Sequence, residues 1–201
     1  MPVPSYLPIE ALLGLIEEPN RRGCVRFLCE NRTLFETVQG STHNHQNWPG
    51  GYMDHVCEVM NTAVLLYPAM AAARPLTFSL SDALLALFWH DAEKLERFEF
   101  GDDGGLRNKP HLDSKVDHHN HRLTKIIAYG VTLTSEQENA IRYAEGEIGS
   151  YTSRQRIMGP LAAFCHMCDV ASARIWYEHP LWRNDPWPGA DRRRQAAPSA
   201  S

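Results

Sequence analysis

Four ionisable side chains fall on helix faces that are otherwise apolar: His55, His90, Asp91 and Asp169. The middle pair says most. The run Ala83-Leu84-Leu85-Ala86-Leu87-Phe88-Trp89 is apolar without interruption, and it leads into His90-Asp91-Ala92-Glu93-Lys94, with four ionisable residues in five positions. Burying a charge without a partner is costly, and a metal ion is one efficient partner. Two imidazoles and two carboxylates suit a borderline divalent ion (Mn, Fe, Co, Ni or Zn), and the donor types alone do not choose among these. Each residue also has a plainer reading. An inward His can be a hydrogen-bonded core residue, and a helix Asp can be half of a buried ion pair. The adjacent His90-Asp91 pair fits the plainer reading less well, because both groups must be satisfied at one point.

The elements that must position these residues are helical. Apolar spacing predicts a helix over residues 9–18, stopped by Pro19-Asn20. A second follows through Val25 and Phe27 to Val38, with a break near Asn31. Residues 41–51, with Pro49-Gly50-Gly51, read as a shaped loop. A helix from Tyr52 or Met53 to Leu66, ended by Pro68, turns His55, Val59, Thr62, Ala63 and Leu66 to one side. After a linker over 69–80, Ser81 or Asp82 caps a buried helix over 81–95. Residues 98–109 read as an exposed loop. A helix over 114–129 points His119, Leu123, Ile126 and Ile127 inward, and His118, Arg122 and Lys125 outward. Thr134-Ser135-Glu136-Gln137 starts another helix, and the last runs from Pro160 to Tyr177 with Asp169 in its middle. No segment alternates like a strand, so the expected class is all-α.

Composition bounds the function. The chain has 201 residues, 43% hydrophobic and 22% charged, with net charge -4 and pI near 6.2. That length predicts a single domain over 1–185, and Arg192 to Ser201 reads as a disordered tail within 186–201. The acidic balance argues against a nucleic-acid coat or a basic membrane-surface protein, but it permits a small phosphorylated ligand held by a few local cations. Five cysteines lack framework spacing, and Met1 to Pro8 shows no basic or long apolar leader. Free thiols in a cytoplasm are expected. Cys165 and Cys168 read as small packed residues. The Trp and Leu residues around 176–187 could form a homo-oligomer interface or pack on the core.

The order His, then His-Asp, then Asp, each on a helix, resembles the HD-domain metal-dependent phosphohydrolase superfamily over about residues 40–178. Pro49-Gly50-Gly51-Tyr52-Met53-Asp54-His55 is similar to the family's Gly-Gly-x-x-x-His approach to its first ligand. His90-Asp91-Ala92-Glu93-Lys94 is similar to its HD-x-x-K form, and Phe164 to Ala171 to the helix carrying its last Asp. The resemblance implies a compact HD-domain helical bundle, with His55, His90, Asp91 and Asp169 holding one divalent transition metal. His119 matches a further family His position, whereas Ala144 stands where a second would be expected. A single metal is therefore expected, leaving His119 for substrate or proton transfer. Glu145 or Glu147 are the residues for any second ion.

The resemblance also implies phosphoester hydrolysis. Lys94 is the first expected phosphate contact, followed by Lys109, His111 and His119. Asp91 would hold metal and water, and Glu93 or His119 would transfer protons. His45 could touch a phosphate, and Trp48 could stack on a base. The expected substrate is a small nucleotide, foremost a deoxynucleoside triphosphate (dATP) cleaved to nucleoside and triphosphate. The alternatives are a 5'-nucleotidase, a 3'-5' exonuclease or cyclic-nucleotide phosphodiesterase, and a non-catalytic nucleotide sensor. Nucleic-acid and membrane partners are not expected. The expected location is the cytoplasm, or the host cytoplasm for a phage-encoded chain.

Overall fold

Two helices, α4 (Gly51–Ala73) and α5 (Leu80–Trp89), form the centre around which the chain winds. A computed structural model describes residues 4–41, 45–100, 106–147, 154, 156–176 and 185–190. In chain order the elements are α1 (Ile9–Gly14), α2 (Asn20–Glu30), α3 (Arg32–Thr37), α4, α5, the single turn α6 (Lys94–Arg97), a β1–β2 hairpin, a 3-10 turn (Pro110–Leu112), α7 (Lys115–Ala128), α8 (Ser135–Tyr143) and α9 (Pro160–Val170). The protein is all-α, with one short hairpin as its β structure among the described residues. Helix α5 packs on α4, α8 and α9, and α9 also packs on α4.

Several elements start where their caps dictate. Ser79, not Ser81 or Asp82, caps α5. Its hydroxyl accepts from the Asp82 N–H, and the Asp82 carboxylate accepts from the Ser79 N–H at 2.8 Å. Such a reciprocal pair satisfies two otherwise orphaned donors. Ser114 with Asp117 does the same for α7, and Thr134 with Gln137 for α8. The break at Asn31 separates α2 from α3 as expected.

Other expectations are corrected. Helix α1 is shorter than 9–18. Helix α4 does not end at Pro68 but carries it inside and continues to Ala73. A proline removes one helical hydrogen bond, and here the flanking turn is anchored by Leu66, packed on the core, and by Tyr67, whose hydroxyl donates to Phe78 O at 2.8 Å. Residues 98–108 are not simply a loop: β1 (Phe98–Phe100) pairs antiparallel with β2 (Leu106–Asn108). The glycine-rich stretch between them lies outside the described residues. Helix α9 does not run on in α form. It passes into a π-helical turn over Ala171–Ile175, closed by the Trp176 N–H to Ala171 O at 3.0 Å.

The inward face of α7 is also rotated from expectation. His118, His119, Arg122 and Ile126 are buried, whereas Ile127 is 73% exposed. An ion pair draws Arg122 inward against the pull of its charge. Residues 186–190, expected within a disordered tail, lie against the N-terminal segment. Tyr6 N–H donates to Pro188 O at 2.7 Å, and Trp187 packs edge-on against Tyr6 and near Trp176. Residues 191–201 and Tyr177 lie outside the described residues, as do Thr42 to Asn44 of the shaped loop.

Helix α4 is long and apolar enough to cross a membrane by length and composition. Its residues Gly51 to Ala63 are nevertheless buried all round by other helices, which makes it the core helix of this fold. Cys24, Cys57, Cys165 and Cys168 are buried and form no disulfide. Burial raises the Cys24 and Cys168 thiols to about 12, consistent with packed, protonated groups.

Candidate metal centre

Loop geometry sets the first donor. Gly50 has φ 79°, a left-handed conformation that glycine adopts without strain. A Cβ on Gly51 would lie 1.9 Å from Gln46 O, so only glycine lets the loop close on the start of α4. Gly40 N–H to Gln46 O (2.9 Å) and Tyr52 N–H to Val38 O (3.0 Å) tie the loop across. One turn into α4, His55 is fully buried.

The second and third donors sit where α5 ends. Trp89 is wedged against Phe27 with ring centroids 4.4 Å apart, and its indole N–H donates to Cys24 Sγ at 3.3 Å. With that anchor fixed, the chain turns through His90 to Glu93. Ala92 N–H bonds to Trp89 O and Lys94 N–H to Asp91 O. The fourth donor, Asp169, lies on α9 just before the π-turn and is the most open of the four, with its side chain 14% exposed.

These side chains converge. His55, His90 and Asp169 each bring one ligand atom within 4.8 Å of the other two. His55 Nε2 lies 3.3 Å from His90 Nε2. Asp169 Oδ1 lies 3.2 and 3.6 Å from these two nitrogens, and Asp91 Oδ2 lies 3.4 and 3.2 Å from them. Donors bound at about 2.1 Å to a tetrahedral ion stand roughly 3.4 Å apart, so the spacing is that of a ligand set.

Proton bookkeeping strengthens the fit. His90 Nδ1 lies 2.6 Å from Leu87 O, and a carbonyl only accepts, so Nδ1 carries a proton and Nε2 is the nitrogen that faces the cluster. His55 Nδ1 meets Ser172 Oγ at 3.1 Å. That hydroxyl gives its own proton to Glu58 Oε2 at 2.6 Å, so it can only accept from His55. Two ring nitrogens and two carboxylates thus share one spot, an arrangement that suits a cation. In the metal-free chain a proton answers the same demand. Burial alone would push the His90 imidazole down, but Asp91 and Asp169 outweigh it and raise His90 to about 10. Burial would likewise raise Asp169, yet His55 and His90 hold it far below the carboxylate range. Asp91 Oδ1 is buried with no hydrogen-bond partner, a further donor left for an ion or a water.

The remaining expected residues divide. Lys94 is buried and reaches Asp91 Oδ2 at 2.6 Å, which places a cation at the edge of the cluster. His45 stacks obliquely on His55 with ring centroids 4.9 Å apart. Its Nε2 is buried without a partner, and desolvation first, then the charges of His55 and Lys94, lowers its pKa to about 3.

Trp48 does not offer a face to a base. It is 8% exposed and its indole N–H donates to Asp54 Oδ2 at 2.7 Å, because the loop folds it down as a lid on the core. Glu93 is not free for proton transfer either. It is fully buried and clamped by Arg122, with Nε to Oε2 at 2.7 Å and Nη2 to Oε1 at 3.3 Å. His119 looks toward Glu138 Oε1 at 3.7 Å, and its charged neighbours are Arg142, Arg122 and Glu138 rather than the four clustered residues. Lys109 acts on Glu96 of α6, and His111 on Asp117 and His121 of α7. Glu145 pairs with Lys115 and lies 3.6 Å from Arg122 Nη2. Glu147 accepts from the Ile157 and Met158 N–H groups, a structural task.

Sequence reasoning missed Gln46, Glu58, Ser172 and Arg122. Glu58 had a usable signal, since it is a charge three residues after His55 in a largely apolar helix. Ser172 follows Asp169 by three, the spacing of one helix face. Gln46 and Arg122 carried no such signal. No family model, no curated protein and no solved structure matches the chain.

Proposed function

We propose that this protein is a divalent-metal-dependent phosphohydrolase acting on small nucleotides, of the HD-domain kind that its ordered His, His-Asp and Asp resemble. Deoxynucleoside triphosphates, dATP first, are the leading substrates, with release of nucleoside and triphosphate. One observation carries the reading: two imidazole Nε2 atoms and two carboxylates converge at 3.2 to 3.6 Å, beside the cation Lys94.

His55, His90, Asp91 and Asp169 would hold the ion. When bound, a divalent ion supplies Lewis acidity, lowering the pKa of water and polarising a phosphoryl oxygen. The chain's own residues do the rest. Lys94 stands where it can neutralise a phosphoryl oxygen, since phosphoryl transfer depends chiefly on positioning and charge neutralisation. His45 presents an unpartnered ring nitrogen on the His55 side of the cluster. Asp91 Oδ1, the uncommitted carboxylate oxygen, is placed to accept a proton from water. The proton-transfer role expected of Glu93 passes to Asp91, because Glu93 is held by Arg122.

The test is a panel of the four deoxynucleoside triphosphates, each with Mn, Co or Ni, with separation of products. Nucleoside plus inorganic triphosphate is expected. Hydrolysis of monophosphates alone reassigns the protein as a nucleotidase. Stepwise shortening of a labelled oligonucleotide without nucleotide turnover reassigns it as an exonuclease. Binding without turnover under every metal makes it a sensor.

A further inference from the structure

A second layer of buried polar groups stands behind His55. Ser172 Oγ accepts from His55 Nδ1 at 3.1 Å and donates to Glu58 Oε2 at 2.6 Å. Gln46 Nε2 donates to both Glu58 Oε2 (2.9 Å) and Ser172 Oγ (3.0 Å). Gln46, Glu58 and Ser172 are all at most 1% exposed. A serine hydroxyl has one proton to give and two lone pairs to fill, and all three are used here. The proton goes to the carboxylate, so the imidazole must bring its own on Nδ1. The arrangement therefore admits one His55 tautomer and one ring orientation.

The three residues come from three places. Gln46 is in the loop closed by Gly50-Gly51, Glu58 is one turn beyond His55 on α4, and Ser172 is in the π-turn three residues after Asp169. A buried carboxylate at this position is expensive unless it is fully bonded. Core packing alone gives no reason for a Glu on a helix whose neighbouring residues are apolar. Glu58 makes sense as the fixed acceptor that orients the Ser172 hydroxyl.

We infer that Glu58, Ser172 and Gln46 form a positioning relay that sets His55 as a ligand. Glu58 fixes the hydroxyl, Ser172 fixes the imidazole, and Gln46 couples the loop carrying His45 to both. None of the three is among the four residues that would hold the ion. The inference rests on the metal-centre reading proposed above. Partners of this kind, behind a metal-ligating His, typically alter metal affinity by about 10–100-fold when removed.

The experiment is Co(II) titration of the full chain, read by visible absorption, on wild type, Ser172→Ala, Ser172→Thr and Glu58→Gln, with thermal unfolding of each metal-free variant as a folding control. Expected results are one Co(II) per wild-type chain, affinity lower by about 10–100-fold in Ser172→Ala, recovery to within about threefold in Ser172→Thr, and a changed Co(II) spectrum in Glu58→Gln, whose isosteric side chain keeps the core filled. A merely structural role would shift unfolding without moving the spectrum or being rescued by threonine. Normal Co(II) affinity and spectrum in both folded Ser172→Ala and Glu58→Gln overturns the relay alone. A wild type that takes up no divalent ion overturns the metal centre itself, and the relay's role with it.

Discussion

Asp169 is the proposed donor whose substitution separates metal binding from folding most cleanly. It is the most open of the four and stands at the last straight turn of α9 before the π-turn. Asp169→Asn keeps the shape but removes a negative charge and offers a weaker donor to a borderline ion. Metal content after dialysis against Mn, Co or Ni should fall by at least about tenfold relative to wild type, with the metal-free fold retained by circular dichroism. An unchanged metal content would refute Asp169 as a ligand. The same residue-level logic explains why Lys94 does not simply cancel the site. Its ammonium meets Asp91 Oδ2 and leaves Asp91 Oδ1 without a hydrogen-bond partner.

At the scale of elements, the turn between α5 and α6 matters most, because it carries His90, Asp91 and Lys94 within five residues. It is held from behind by the Glu93–Arg122 pair, which joins it to α7. Arg122 also donates to Ile141 O on α8 at 3.0 Å, so one guanidinium links three elements. Removing one member of a buried pair strands the other, at about 3–5 kcal/mol. Arg122→Ala should therefore lower the unfolding free energy by about that amount in urea denaturation, and Glu93→Leu added to Arg122→Met should recover much of it. If Arg122→Ala proved as stable as wild type, the clamp would have no energetic standing. Periodicity made the apolar body of α5, α8 and the break at Asn31 legible before any coordinates, but the helix expected over 81–95 ends at Trp89 and turns through His90 to Glu93 before α6. It missed the facing of α7, because the rule that charges face water fails for an Arg whose partner is itself buried.

For the whole molecule, the connection from α8 to α9 decides whether Asp169 meets the two histidines. Glu147 pins that connection by accepting from Met158 N–H at 2.7 Å and Ile157 N–H at 3.1 Å. The Met158 amide first, and the Ile157 amide after it, outweigh desolvation and hold the Glu147 carboxyl below its ordinary 4.5. A folded-state value below the unfolded one contributes stability above pH 4.5 that is lost as pH falls toward the lower value. Glu147→Gln should accordingly flatten the acid side of the stability profile, measured by chemical denaturation across that range. A variant with the same acid slope as wild type would show that this contact does not titrate with folding. Fixing the connection also keeps α9 packed on α8, and so holds Asp169 in place at a distance.

Sequence alone determined that four polar residues, carried by α4, the turn after α5 and α9, point into an apolar interior, and that the chain is all-α. Helical period and an apolar run are local properties, readable from neighbours three or four positions apart. Only the tertiary structure decided which atoms those residues present. His55 owes the turn of its Nε2 toward the cluster to Ser172, 117 residues away in the chain. Glu93 was withdrawn from proton transfer by Arg122, 29 residues on. Trp48 was turned from a free face into a lid by the fold of its own loop. A tautomer, a buried ion pair and the direction of a ring depend on partners that only folding assembles, which is why no spacing rule announced them.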